Sequence, residues 1–123
     1  MRYITDYKRA VGRGAARAGT EHHWAMQVSA VGLAILIPVF VYIFGSALGQ
    51  GHAEVVALFS RPFPAVVTAL TLVVGLHHFR KGAQTMIEDY ARGTAKKAFI
   101  MLTIVVSYGA MATGLVALAR IAL

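Results

Sequence analysis

Three long stretches of the chain contain no Asp, Glu, Lys or Arg. They cover residues 22–53, 62–79 and 98–119 and are 32, 18 and 22 residues long. Their apolar residues occupy all sides of a helix, unlike the single stripe of a soluble amphipathic helix. A bilayer core about 30 Å thick needs about 20 apolar residues, at about 1.5 Å of rise each. The pattern therefore predicts an all-α membrane protein with three transmembrane helices, over about 22–49, 63–91 and 95–121.

Local signals mark the ends of these helices. Thr20 can cap the first helix, and Pro38 inside it predicts a kink. The segment Arg61–Pro64, with proline in the first turn, predicts the start of the second helix. Gly93 is expected to break that helix, and the lysine pair that follows is expected to begin the third. The basic segment 1–20 is predicted to be irregular and to lie on the cytoplasmic surface or a partner, within a single domain of residues 1–123.

The composition supports the membrane assignment, and the charges give an orientation. The chain is 58% apolar and 14% charged with a net charge of +7, whereas soluble domains are about 45–50% apolar and about 25% charged. Ten of its twelve basic residues precede the first helix or flank the junction of the second and third. The ten are Arg2, Lys8, Arg9, Arg13, Arg17, Arg80, Lys81, Arg92, Lys96 and Lys97, and the other two are Arg61 and Arg120.

This asymmetry predicts a cytoplasmic N-terminus and a cytoplasmic second connection, by the positive-inside rule. We expect a multi-pass protein of a bacterial inner (cytoplasmic) membrane; in a mitochondrion the same side would be the matrix. The clustered charge then indicates contact with anionic headgroups or partner subunits. Nucleic acid is not an expected partner, because the basic residues are not spread over a folded surface.

The small size argues for a subunit of a larger complex. Three helices enclose little interior, so a self-contained transporter or pump is not expected. A small multidrug-type exporter typically has four helices and a membrane-embedded acid, and here every acid lies outside the three charge-free stretches. The absence of cysteine excludes disulfides and thiolate metal ligands. Glycines in the spans allow close helix contacts, including contacts with other subunits.

Four polar residues inside the apolar stretches are candidates for function. They are Gln27 and Ser29 near the start of the first helix, and His77 and His78 near the end of the second. Polar groups at membrane depth are costly and often functional. A neutral imidazole there can ligate haem iron, shuttle protons or bond a neighbouring carbonyl, and the residue alone leaves these roles open.

The residues that follow His78 narrow the choice. At about 100° per residue, Gly82 lies about 40° and Asp89 about 20° from His78 around the helix. Tyr90 lies about 18 Å further along the axis and about 120° round. A glycine one turn from a histidine leaves room for a flat macrocycle. A phenol at the membrane surface can donate a hydrogen bond to a carbonyl oxygen of a lipid-soluble substrate.

The pattern His-x3-Gly-x6-Asp-Tyr on the second of three helices resembles the hydrophobic membrane-anchor D subunits of succinate dehydrogenase (succinate:quinone oxidoreductase). The basic N-terminus and three helices cover the whole chain, and the specific motif covers residues 78–90. The resemblance implies a subunit that helps bind haem b and ubiquinone and holds the flavoprotein and iron–sulfur subunits at the membrane. Electrons from succinate would then reduce quinone. The chain contains no flavin or cluster motif, so it would be a non-catalytic subunit contributing to the quinone site.

The resemblance also assigns roles to individual residues. His78 matches the axial ligand of haem b, with the second axial histidine supplied by the companion cytochrome b subunit. Tyr90 matches the tyrosine that hydrogen-bonds ubiquinone, and Asp89 supports that site. Arg80 is positioned to meet a haem propionate, or equally to snorkel towards the interface. His77 is an alternative ligand by its chemistry, but the motif spacing selects His78.

One segment departs from the family pattern. Members often carry Arg-x-Ser/Thr-Ala early in the first helix, and this chain has Gln27-Val28-Ser29-Ala30. Ser29 remains a possible cofactor-site residue, whereas Gln27 makes no charge pair and suits an interfacial polar position. Two alternative functions stay open: the anchor of a related fumarate reductase, and a structural anchor without haem.

Overall fold

The computed structural model describes residues 4–12 and 19–123, and within them every regular element is a helix. The helices are α1 (Asp6–Val11), α2 (Gly19–Ala47), α3 (His52–Phe59), α4 (Pro62–Tyr90) and α5 (Gly93–Ala122). Helices α2, α4 and α5 are long and apolar enough to cross a membrane. The prediction of an all-α membrane protein with three transmembrane helices is confirmed.

Some of the predicted helix ends match the structure and others do not. Arg61 is the N-cap of α4 and proline occupies its first turn, as predicted. Thr20, in contrast, lies within α2 and does not cap it, and α2 continues through Pro38. Gly93 has a φ of +61° and is itself the first residue of α5, so the expectation that the lysine pair begins this helix was wrong. Because positive φ carries no Cβ penalty for glycine, the chain can turn sharply there.

Two short helices were not foreseen. Helix α1 lies in the segment expected to be irregular, and the Thr5 hydroxyl accepts a hydrogen bond from the Lys8 backbone amide at 3.3 Å. Helix α3 lies in the connection between α2 and α4, where the Glu54 carboxylate accepts a hydrogen bond from the Gly51 amide. Such caps satisfy amides that a helix end leaves free. Arg2, Arg13 and Arg17 lie outside the described residues.

The three long helices form a layer with α4 in the middle. Helix α4 packs on both α2 and α5, whereas the backbones of α2 and α5 do not approach each other closely in the described part of the chain. Glycines mark the close approaches: Gly32 faces Val74, and Gly75 faces Leu33. On the other side of α4, Gly114 of α5 faces Leu72. The contacts Ser29–His78 and His22–Thr85 show that α2 and α4 are antiparallel, because the residue numbers rise along one helix as they fall along the other. The contacts Gly114–Leu72 and Tyr108–Arg80 show the same for α4 and α5.

This layer has almost no interior of its own. The buried residues among those described are Ser29, Ile43, Ala47, Pro64, Val67 and Ser107. Most large apolar side chains of α2 and α5 are exposed. Because such a surface is stable only against lipid or protein, both faces of the layer require a membrane or another subunit.

Candidate functional site

The shortest polar contact between the long helices joins α2 to α4 through Ser29 and His78. The Ser29 hydroxyl lies 2.8 Å from Nδ1 of His78. It also lies 2.7 Å from the carbonyl oxygen of Ala25 and 3.0 Å from that of Met26, both in its own helix. Ser29 is only 7% exposed, so little water competes for these bonds. Ser29 and His78 were separate candidates for function in the sequence, and in the structure their side chains are in contact.

The second nitrogen of His78 makes no hydrogen bond to any described residue. The ring is therefore held through Nδ1, and Nε2 remains available to a group from outside the chain. Within the described residues, no three His, Asp or Glu side chains meet to hold a metal ion.

A second histidine–hydroxyl contact repeats this arrangement two turns away. Nε2 of His22 lies 3.1 Å from the Thr85 hydroxyl, which donates to the backbone carbonyl of Lys81 at 3.2 Å. His22 and Ser29 are seven residues apart on α2, and Thr85 and His78 are seven apart on α4. The two contacts therefore share one register of the antiparallel pair. Unlike the Ser29 contact, this one is exposed.

Gly82 lies on the side of α4 that meets α2. A Cβ placed on Gly82 would lie 3.8 Å from the terminal methyl of Met26, an ordinary van der Waals distance. The space beside Gly82 therefore borders a flexible methionine side chain rather than a rigid wall. Because methionine adapts its shape readily, this space can change with an occupant.

Arg80 contacts α5, away from His78. Its guanidinium carbon lies 5.5 Å from the ring centre of Tyr108, a cation–π distance. Its Nε atom is buried and has no hydrogen-bond partner in the described structure. Arg80 and His78 are two residues apart on α4, so their side chains leave the helix about 200° apart around its axis. The structure does not bring these two side chains together, but it leaves a buried cationic donor without an acceptor.

His77 borders a cavity that His78 does not line. This cavity of about 600 Å³ lies against α2, α4 and α5, and its wall includes Ser29, His77 and Tyr108 together with apolar side chains. Its size falls in the range of about 300–1,000 Å³ typical of ligand pockets. The geometry therefore keeps His77 as a chemical alternative to His78.

The remaining candidates lie at the surface. Tyr90 is the last residue of α4 and is 87% exposed, and Asp89 beside it is also exposed. Twelve residues of helix separate Tyr90 from His78, about 18 Å along the axis. Gln27 is exposed beside Trp24 and Val28, so it does not reach His78. Neither Thr85 nor Tyr108 was predicted from the sequence, because their roles depend on contacts with neighbouring helices.

Comparison with known proteins gives consistent matches. The family described as succinate dehydrogenase/fumarate reductase transmembrane subunit matches residues 1–117. The chain is 46% identical over 123 residues to the succinate dehydrogenase hydrophobic membrane anchor subunit of Paracoccus denitrificans, covering all of this chain and 95% of that protein. The corresponding protein of Rickettsia conorii is 32% identical over 94 residues, covering 71% of this chain and 73% of that protein. That of Rickettsia typhi is 28% identical over 114 residues, covering 83% and 91%. No solved structure matches significantly.

Proposed function

Because the chain belongs to the succinate dehydrogenase/fumarate reductase transmembrane subunit family, we propose that it ligates haem b through His78 and binds ubiquinone at Tyr90. The protein is a multi-pass membrane-anchor subunit of such a complex. In the proposal it lies in a bacterial inner membrane with its N-terminus in the cytoplasm. Its clustered basic residues then face the soluble subunits that deliver electrons.

The single observation that carries the haem assignment is the hydrogen bonding of the His78 ring. Nδ1 is engaged by Ser29 while Nε2 has no partner in the described structure. This is the arrangement expected of a metal-ligating histidine, whose other nitrogen is fixed by a neighbouring group. The buried, unpartnered Nε of Arg80 fits an anionic group such as a propionate. Haem b, when bound, supplies a one-electron carrier within the membrane.

The proposal requires three further subunits. The companion cytochrome b subunit would supply a second haem-ligating histidine and cover one face of the layer. The iron–sulfur and flavoprotein subunits dock on the basic side, where the described cations include Lys8, Arg9, Arg92, Lys96 and Lys97. Electrons from succinate pass through these subunits to the quinone near the end of α4.

At the quinone site, Tyr90 would act as a hydrogen-bond donor. Its phenol is exposed at the membrane-exit end of α4, where it can donate to a quinone carbonyl oxygen. This bond orients the headgroup and stabilises the negative charge that develops on that oxygen during reduction. Asp89 is adjacent and exposed, and it would support the local hydrogen bonding.

Haem ligation can be tested by comparing His78→Ala with His77→Ala in the purified complex. We expect His78→Ala to remove or shift the haem bands in the reduced-minus-oxidised spectrum, and His77→Ala to leave them unchanged. Loss of haem only in His77→Ala would assign the ligand to the cavity-lining histidine instead. A wild-type complex without haem bands would favour the structural-anchor alternative.

The quinone role can be tested with Tyr90→Phe, which removes only the phenol oxygen. We expect slower quinone reduction with little change in succinate oxidation by an artificial soluble acceptor. Tyr42→Phe is a matched control, because Tyr42 is similarly exposed but lies near the C-terminal end of α2, at the end of the antiparallel helices opposite to Tyr90. Equal loss of both activities in Tyr90→Phe would contradict the proposed role.

A further inference from the structure

We propose that Ser29 is the positioning residue for His78: its hydroxyl accepts the Nδ1 proton and so selects the imidazole tautomer with a free lone pair on Nε2. This inference rests on the proposed function, because it assigns a role to Ser29 in holding the haem ligand. The hydroxyl fixes both the protonation pattern and the rotation of the ring before any haem is bound.

The direction of the hydrogen bond follows from counting protons. A serine hydroxyl has one proton and two lone pairs, whereas a backbone carbonyl can only accept. The short distances to the carbonyls of Ala25 and Met26 place the Ser29 proton between oxygens of its own helix. Nδ1 of His78, at 2.8 Å, must then be the donor. If the proton pointed to Nδ1 instead, lone pairs of the hydroxyl and the Ala25 carbonyl would face each other at 2.7 Å.

A neutral imidazole carries one proton, so donation from Nδ1 leaves Nε2 as the lone-pair nitrogen. Nε2 is also the nitrogen that has no partner among the described residues. The hydrogen bond therefore prepares the atom that would ligate iron. It also increases the basicity of the ring, since a partner that accepts the remote proton makes the ligating nitrogen a better donor.

Burial gives this contact its importance. Ser29 is 7% exposed, and its bonds to the carbonyls at positions i−3 and i−4 restrict its hydroxyl to one side of α2. Without the hydroxyl, the Nδ1–H would lack an acceptor in a site with little water, which is unfavourable. The ring would then rotate, or adopt the tautomer whose Nε2 carries the proton. The analogous His22–Thr85 contact is exposed, so water can replace its partners.

The experiment compares Ser29→Thr with Ser29→Val in the complete purified complex. Threonine and valine have nearly the same shape, so any difference between the variants reports the hydroxyl. Ser29→Ala provides a third variant without added volume. Ser46→Ala is the matched control, because the Ser46 hydroxyl also bonds a carbonyl of α2 but has no histidine partner.

We expect Ser29→Val and Ser29→Ala to weaken haem retention about 10–100-fold, the usual effect of removing a partner behind a metal ligand. They should also change the low-spin haem signal in electron paramagnetic resonance and raise the midpoint potential, because a less basic imidazole stabilises ferric iron less. Ser29→Thr and Ser46→Ala should match the wild type in all three measurements.

Two outcomes would overturn the inference. If Ser29→Val and Ser29→Thr give the same signal, potential and haem retention while His78→Ala loses haem, Ser29 does not position the ligand although His78 still binds haem. If His78→Ala retains its haem, the proposed function and this inference fail together. Should Ser29→Ala prevent assembly, the threonine–valine pair still decides, because both variants carry the same added methyl group.

Discussion

The contact between α4 and α5 gives a quantitative prediction at Gly114. A Cβ at this position would lie 2.5 Å from one methyl carbon of Leu72 and 3.4 Å from the other. Carbon atoms pack best at about 3.5–4.0 Å, so Gly114→Ala forces Leu72 or helix α5 to move by about 1 Å. Overpacking of this kind costs about 1–3 kcal/mol, and the lower half of that range applies here because the contacted methyl groups end a flexible side chain that can rotate. Alanine recovers at most about 1 kcal/mol of helix propensity, so we expect a small net destabilisation.

Gly109 provides a matched control on the same helix. A Cβ there would meet no atom within 4 Å in this chain, so Gly109→Ala should be neutral or slightly stabilising. The double variant Gly114→Ala/Leu72→Ala keeps the added Cβ but removes the leucine methyl groups that it would strike. We expect it to be more stable than the sum of the single effects predicts, by about 1 kcal/mol or more.

The assay measures the temperature at which the purified complex releases this subunit in mild detergent. Samples are heated stepwise, and the released subunit is detected by size-exclusion chromatography. Gly114→Ala should lower this temperature, and Gly109→Ala should not. Equal effects of the two glycine substitutions would refute the assignment of the clash to Leu72. Additive effects of Gly114→Ala and Leu72→Ala would refute it as well.

Three further predictions concern other contacts. Arg80→Gln should lower the haem midpoint potential by tens of millivolts in a redox titration, since a nearby positive charge disfavours ferric iron, and Arg80→Lys should shift it less. An unchanged potential would show that Arg80 does not lie near the haem, and its role would then be the cation–π contact with Tyr108. A double-mutant cycle of His22→Phe and Thr85→Val should give a coupling energy below about 1 kcal/mol in the same heating assay, because the hydrogen bond is exposed; a larger value would show that it is shielded in the complex. Glu54→Ala should speed hydrogen exchange of the α3 amides, and Glu54→Gln should not, because glutamine can still accept the capping bond. Exchange at the wild-type rate in both variants would show that the cap is unnecessary.

The candidate site was partly predictable because its residues share one helix. The spacing of His78, Gly82, Asp89 and Tyr90 along α4 fixes their relative angles once the helix is known. The sequence also named Ser29 as a candidate, but not its partner. Contacts between helices depend on register, so the pairing of Ser29 with His78 was not visible in either segment.

The short helices and the α5 start were missed for local reasons. Helix α3 has eight residues, too few to show a clear apolar period, and its cap depends on a hydrogen bond between Glu54 and the Gly51 amide. At Gly93, the sequence correctly indicated an interruption. The positive φ that lets this glycine open the next helix is a property of the folded turn.

The number and the positions of the three membrane spans could be predicted from the amino-acid sequence. Membrane insertion depends on the length and apolarity of each segment, which are local properties. Which sides of these helices meet is visible only in their three-dimensional packing. Helices that are apolar on all sides have no stripe to orient them, so glycine contacts set their rotation and register. That register places a buried hydroxyl against one histidine and leaves its neighbour facing a cavity.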